Sequence, residues 1–375
     1  MGELEYTMVR EAGELEELAA ALEAEPAHAL DSESNSGFVY DERLCLLQLR
    51  VGERNWLVDL PALPGGRRAL DPIRPALESP RTVTWLHGGE FDVGCLKRDY
   101  DLALGGVWDS QQAATFLGWE KTGYAHAVER VCGVQVEKGY SRHDWGRRPI
   151  VPEALRYAVE DVLYLPRVCE SLREEIRDAD LEEELAIANA AVEEATWGGG
   201  YEPDGYLSLK GAARLPRSVL PVLKALFEWR EETARRVDRP PGLVVGNRQL
   251  VDLARSAPSS VEELERLGLG RKLLERHGRT IARLVAEAQR HPPEVPPPAP
   301  RQPRDPRVAE REDALRSWRR AEARRREVPE QVVLPSAALR HLARHGAGDL
   351  TAVPQLGAKR IGLYGERLEA LCAAD

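Results

Sequence analysis

The chain has 375 residues (41.8 kDa), 43% of them apolar and 30% charged. That is an ordinary globular mixture, and the length suits two or three domains. A formal net charge of -10 excludes a uniformly basic nucleic-acid coat, although a locally charged site stays possible. A mean hydropathy of -0.43, with no uninterrupted apolar run of about 18 residues, excludes a membrane-spanning helix. The acidic opening MGELEYTMVREAGELEELAAALEAE has no basic leader followed by an apolar stretch, so no secretory or mitochondrial signal is expected. Five scattered cysteines, never in CxxC spacing, fit reduced thiols and a cytoplasmic protein better than a disulfide framework.

In chain order, the Glu-rich segment 11–25 reads as a helix with a solvated face. AHAL (27–30) is a short apolar run entering DSES. LCLLQL (44–49) and WLVDL (56–60) flank VGER as a hairpin, and TVTWL (82–86) is another β-rich run. From about Asp109, helical patterns take over in SQQAATFLG, YAHAVERVCG and PEALRYAVEDVLYLPRVCESLREEI, and 174–184 reads as a second solvated helix face. Strands first, then strand and helix alternating, predict an α/β layer for residues 1 to about 190.

The remainder is an internal repeat. WREETARRVDRPPGLVVGNRQLVDLAR, from Trp229, aligns without a gap with WRRAEARRREVPEQVVLPSAALRHLAR, from Trp318. Leu267-Gly268 then matches Leu356-Gly357, and Gly278 falls against Gly365. Two copies suggest two homologous helical modules, not a solenoid. Between them RHPPEVPPPAPRQPRDPR (290–307) is too proline-rich for helix or sheet and reads as an extended spacer. The expected division is 1–200, then helical domains at 207–290 and 308–375 joined by a 291–307 linker.

Most of the 62 acidic residues must be solvated surface. Four stand out by position. Asp31 and Glu33, two apart in an extended strand, project from one face. Asp92 follows a strand ending in glycines. Asp161 lies one helical turn after Tyr157, which puts phenol and carboxylate on one side. Carboxylates converging from separate elements form the hard-oxygen cage that Mg²⁺ and Mn²⁺ prefer. Singly, each has a plainer reading: Asp31 capping a turn, Asp92 an N-cap, Tyr157 and Asp161 a packed helix with a solvated acid.

AlDsE (29–33), HGGEFD (87–92) and YAVED (157–161), in this order and spacing, resemble the three motifs of the DEDDy 3′→5′ exonucleases, and more narrowly those of ribonuclease D. WDSQQAATFLG (108–118) and GVQVEKGYSRHDWGRRPI (133–150) are similar to the family's block between its second and third motifs, and the paired modules resemble its HRDC domains. The resemblance implies a ribonuclease-H-like α/β exonuclease domain, a mixed sheet flanked by helices, followed by two all-α HRDC-type domains. It further implies two divalent cations, Mg²⁺ or Mn²⁺, with Asp31 bridging both. Glu33 and Asp161 would complete the ion that activates water, Asp92 would hold the second, and Tyr157 would orient the attacking water. The implied substrate is RNA with a free 3′ end, in particular tRNA precursors, with no membrane association and no obligate protein partner.

Two departures from the family pattern bear on substrate contact. Ser34 stands where ribonuclease D usually has Phe, and Gly139-Tyr140 replace more usual polar residues. Of the cluster before the third motif, Lys138 and Arg142 are expected to contact phosphates behind the scissile nucleotide, where cations position backbone without reading sequence. Arg147 and Arg148 are open between that role and a solvated face. His87 reads as structural, Trp145 as a packing anchor, and Trp229 and Trp318 as core. The run 301–327, with ten Arg and six acids, reads as surface ion pairs more readily than as an RNA-facing surface. Two competing functions remain at this level: a DNA-directed exonuclease of the same superfamily, and a catalytically silent RNA-binding scaffold.

Overall fold

The computed structural model describes residues 4–136, 139–297 and 305–373. The chain starts with β1 (Thr7–Val9) and α1 (Ala12–Ala24), whose Leu15, Leu18 and Leu22 turn inward while its glutamates face water. β2 (Ala27–Ser34), β3 (Leu44–Val51) and β4 (Arg54–Asp59) follow, then α2 (Arg74–Leu77), β5 (Val83–Leu86), α3 (Glu90–Tyr100) and β6 (Val107–Asp109). Helices α4 (Ser110–Phe116), α5 (Tyr124–Cys132), α6 (Pro152–Leu163), α7 (Leu165–Asp178) and α8 (Glu182–Glu193) complete this part. The helical run predicted over 152–176 is two helices: Pro166, which has no amide to donate, is tolerated only in the first turn of α7.

The strands form one mixed sheet in the order β1-β4-β3-β2-β5-β6. β2 pairs antiparallel with β3 along nearly its whole length and parallel with β5 over Ala27–Ala29, so it lies inside the sheet. Leu47 and Leu49 of β3 join α1 and α3 in one core. Leu46 and Cys45 join Trp145 and the Ala158 side of α6 in another. Burial on both faces explains why LCLLQL is apolar at every position but Gln48 instead of alternating.

Two compact units emerge: residues 1–34, 44–197 and 302–375 in one, and 35–43 with 198–301 in the other. The second unit is helical: α9 (Leu220–Arg236), α10 (Pro241–Val244), α11 (Asn247–Ser256), α12 (Val261–Arg266) and α13 (Arg271–Arg290) around Leu223, Leu226, Leu250 and Ile281. In the same unit the loop 35–43 places Tyr40 under the Arg235 guanidinium, 5.1 Å from the ring centre, with the Tyr40 hydroxyl accepting from Arg235 at 3.1 Å. The proline segment is described as far as residue 297, and its backbone carbonyls at Glu294, Val295 and Pro296 accept from Lys224 and Arg217. Residues 298–304 of the expected linker lie outside the described residues.

The sheet-bearing unit also contains α14 (Pro306–Arg326), α15 (Glu330–Val333), α16 (Ser336–His345) and α17 (Ala358–Ala373). The repeat is visible in equivalent contacts. Arg230 donates to the Val245 carbonyl and Arg319 to the Leu334 carbonyl, both at 3.3 Å. Trp229 meets His277 edge-on at 5.4 Å, and Trp318 meets Tyr364 in the same way at 5.2 Å. Trp229 is buried as expected, whereas Trp318 stays half-buried at the surface of its module. Among the described residues no helix is long and apolar enough to cross a membrane.

The second module packs on the sheet layer's helices. Val332 enters the core formed by Phe116, Val168, Leu172 and Leu185. Glu183 of α8 accepts from the Lys359 N–H at 2.9 Å, capping α17, and Glu184 pairs with the Lys359 ammonium at 3.3 Å. Glu184 is therefore buried (1% exposed), not part of the solvated face predicted over 174–184. Gly357 makes the approach possible: its φ is +78°, and a Cβ there would strike Ile187 and lie 2.6 Å from Glu183 Oε1. Gly357→Ala should destabilise the protein by about 1–3 kcal/mol. Gly362→Ala, in α17 with open space around it, should be neutral or slightly stabilising. Denaturant melts of the two variants check the contrast.

Candidate active site

Asp31 and Glu33 project from the same face of β2, the face over which α6 lies with Asp161. Carboxylate oxygens of Asp31, Glu33 and Asp161 lie within 4.8 Å of one another. Tyr157, one turn before Asp161, donates its hydroxyl to the Asp161 carboxylate. Its ring is held at 6.2 Å by both Trp145 and Tyr140. Tyr140, one of the departures from the family pattern, therefore supports the phenol.

Asp92 sits differently. It lies within the first turn of α3, whose N-cap is Gly89, so it is not itself the cap. It is buried, outside the group of three, and its Oδ1 accepts from the Ser32 hydroxyl. Ser32 lies between Asp31 and Glu33, so one strand positions three of the four acids. No sequence signal pointed to Ser32.

The turn ahead of Asp92 is shaped by another acid. Asp109, fully buried, caps α4 through the N–H groups of Gln111 (2.8 Å) and Gln112 (3.1 Å). The same carboxylate accepts from Gly88 N–H at 3.1 Å and Gly89 N–H at 2.8 Å. Gly88 has φ +72°, and a Cβ on Gly89 would overlap Leu86, so the glycine pair lets the chain turn tightly from β5 into α3. Asp109 followed by Ser-Gln-Gln is a legible N-cap; its second duty is not.

Burial, and then the neighbouring carboxylates, push Asp31 well above the usual carboxylate range. The same causes lift Glu33 to about 9. Burial takes Asp161 to about 8, partly countered by the Tyr157 hydrogen bond, and Asp92 to about 6, partly countered by Ser32. None of the four forms an ion pair among the described residues. Gln48, directly across from Asp31 on β3, is fully buried with neither side-chain atom bonded. An all-oxygen donor set, desolvated and mutually repelling, fits a hard divalent cation.

The other residues singled out from the sequence divide clearly. His87 bonds Ser110 at 2.8 Å through Nδ1, and burial lowers it to about 4, so it is neutral and structural. Trp145 is buried. Arg148 holds Asp59 through both carboxylate oxygens at 3.0 Å and caps the Trp145 and Cys45 carbonyls, a packing role. Arg142 and Arg147 are exposed, and Lys138 lies outside the described residues. Along α14, Arg316 pairs with Glu312, Arg325 with Glu322, and Arg319 with Glu330, as expected of a surface ion-pair face.

A 3′-5′ exonuclease family model matches residues 6–177, and the HRDC domain model matches 219–285 and 309–372. Ribonuclease D of Escherichia coli (strain K12) is 31% identical over 300 residues, 78% of each chain. Ribonuclease D of Pseudomonas paraeruginosa is 30% identical over 348 residues, 91% of this chain and 90% of the relative. Protein RRP6-like 1 of Arabidopsis thaliana is 29% identical, and the match spans only 43% of that longer protein. In three dimensions the crystal structure of Escherichia coli RNase D, described as an exoribonuclease involved in structured RNA processing, aligns at a TM-score of 0.73, with 26% identity over 98% of both chains. The exonuclease family is generally dependent on divalent metals. On the strength of ribonuclease D relatives matched over 78% and 91% of this chain, and of the matched exonuclease and HRDC segments, the chain belongs to the ribonuclease D family of 3′→5′ exoribonucleases.

Proposed function

We propose that this chain shortens RNA from a free 3′ end by hydrolysis, releasing nucleoside 5′-monophosphates, and that structured RNA such as tRNA precursors is its substrate. The convergence of Asp31, Glu33 and Asp161 within 4.8 Å, with Asp92 tied to the strand between them, carries this reading. Asp31, Glu33 and Asp161 would hold one divalent cation of the Mg²⁺ or Mn²⁺ class, and Asp31 with Asp92 a second. Such a pair supplies an activated water and stabilises the attacking and leaving oxygens of an in-line displacement at phosphorus. Tyr157, anchored to Asp161, directs its hydroxyl to the attacking water and sets its line of approach. With burial and three nearby carboxylates raising its pKa, the phenol stays protonated, so its part is orientation and not proton abstraction. Arg142 and Lys138 are assigned to the phosphates behind the scissile bond, where they hold the strand without selecting its sequence. None of the five cysteines is joined in a disulfide, which supports action in the cytoplasm.

The direct test incubates the protein and Mg²⁺ or Mn²⁺ with a 3′-labelled tRNA precursor, matched single-stranded DNA and RNA blocked by a 3′-phosphate. Stepwise release of mononucleotides from the open RNA supports the reading. Preference for the DNA would replace it with a DNA-directed exonuclease, and no cleavage at all with a silent scaffold.

Tyr157→Phe keeps the ring against Trp145 and removes the hydroxyl, with its bond to Asp161 and the oriented bond to the water. Single-turnover cleavage should slow by about 10- to 1,000-fold, corresponding to roughly 1.4–4 kcal/mol in the transition state. RNA affinity should hold. Asp31→Ala should leave no measurable cleavage.

Acid–base linkage gives a second check. Glu33 rises from 4.5 to about 9 and Asp161 from 3.8 to about 8, so the metal-free folded chain binds more protons than the unfolded chain in that window. Their contribution to stability is full below the unfolded values of 3.8 and 4.5 and is lost progressively as pH rises from there through about 8 to 9. A bound cation replaces those protons and removes the loss. Thermal melts should therefore show a larger Mg²⁺-induced rise in Tm at pH 8.5 than at pH 6, with EDTA as the reference.

A further inference from the structure

The geometry points to a nucleotide-binding cavity, separate from the carboxylate site, between the sheet layer's helices and the second helical module. The cavity, about 280 Å³, lies within the sheet-bearing unit and is lined by Phe116, Glu90 and Glu184 on one side and by Gln331, Ser336 and Arg340 on the other. Its size lies just below the lower end of small-molecule sites, about 300 Å³.

Two kinds of recognition chemistry meet there. Glu184 is 1% exposed; its Oε2 takes the Lys359 ammonium, while its Oε1 has no partner. A buried carboxylate oxygen without a donor is costly, and the N–H edge of a nucleobase supplies one. Gln331 Nε2, on the opposite wall, is likewise buried and unbonded, a donor for a base carbonyl or a ribose oxygen. The second kind is anionic. α16, ten residues long, starts at Ser336 on the cavity wall, and the first N–H it bonds back is that of Leu339, to Pro335. The N–H groups of its first turn and the Arg340 guanidinium one turn on match a phosphate. Phe116 gives the base an apolar face.

The ligand class rests on the exoribonuclease reading, because Glu90 opens the same helix that carries Asp92 two residues later. Two sources share the chemistry: a released nucleoside 5′-monophosphate, or a nucleotide within the RNA strand.

Equilibrium dialysis of the full-length Asp31→Ala variant in EDTA, with the four nucleoside 5′-monophosphates and with a short 3′-phosphate-blocked oligoribonucleotide, separates this site from the carboxylate centre. At least one probe should bind, and affinity should fall tenfold or more in Asp31→Ala/Arg340→Glu and in Asp31→Ala/Glu184→Gln. Arg340 is exposed, so the first double variant should melt like its parent. Monophosphate binding assigns the site to product, and oligonucleotide binding alone assigns it to substrate. If neither probe binds, or if binding is indifferent to Arg340→Glu in a folded protein, the cavity holds only water and the inference falls. Loss of RNA cleavage in the wild-type background would overturn the exoribonuclease reading without touching this binding result.

Discussion

Four carboxylates kept close together and away from water set the terms for this fold. Two like unit charges about 4 Å apart repel by roughly 4 kcal/mol at an effective dielectric of 20. The acids can share the site only if they hold protons or meet cations, and the raised values of Glu33 and Asp161 are the protonated solution. The scaffold is arranged to withstand this. Asp31 and Glu33 lie on an interior strand laddered to β3 at both residues, Asp161 on a helix packed over β3, and Asp92 on a helix whose entry turn is fixed by Asp109. A strained cluster needs rigid supports, and the supports here are an interior strand, a packed helix and a turn tied to Asp109.

Much of this was legible in the chain. Strand β2 could be read from AHAL entering DSES, and the one-face projection of Asp31 and Glu33 follows from strand periodicity alone. The one-turn spacing of Tyr157 and Asp161 likewise follows from helix geometry. The duplicated modules were readable because a gapless repeat of 27 residues carries its own alignment, and the paired contacts of Arg230 and Arg319 show the same internal geometry.

What escaped the sequence has a common cause: it depends on partners distant in the chain. Ser32 looks like any strand serine until Asp92 arrives 60 residues later. Gln48 sits in an apolar run, and only the β2–β3 register puts it opposite Asp31. Glu184 belongs to a Glu-rich stretch that reads as solvated, yet the second module buries it against Lys359. Arg148 is open in the sequence between a phosphate contact and a solvated face, and the ion pair with Asp59 decides for neither. Local pattern reports which residues can share a face; it does not report which face another element will cover.

Membership of the ribonuclease D family makes RNA the expected substrate class, and it leaves the carboxylate cluster's cation content to be measured directly. Titrating the full chain with Mn²⁺ and recording electron paramagnetic resonance counts bound ions and reports whether two are close enough to couple. The account predicts two coupled Mn²⁺ ions per chain, with the coupling abolished in Asp31→Asn, which keeps the side chain's volume but removes the charge shared between them. A protein that binds no Mn²⁺, or whose coupled pair survives Asp31→Asn, would contradict the claim that these acids are gathered to hold cations.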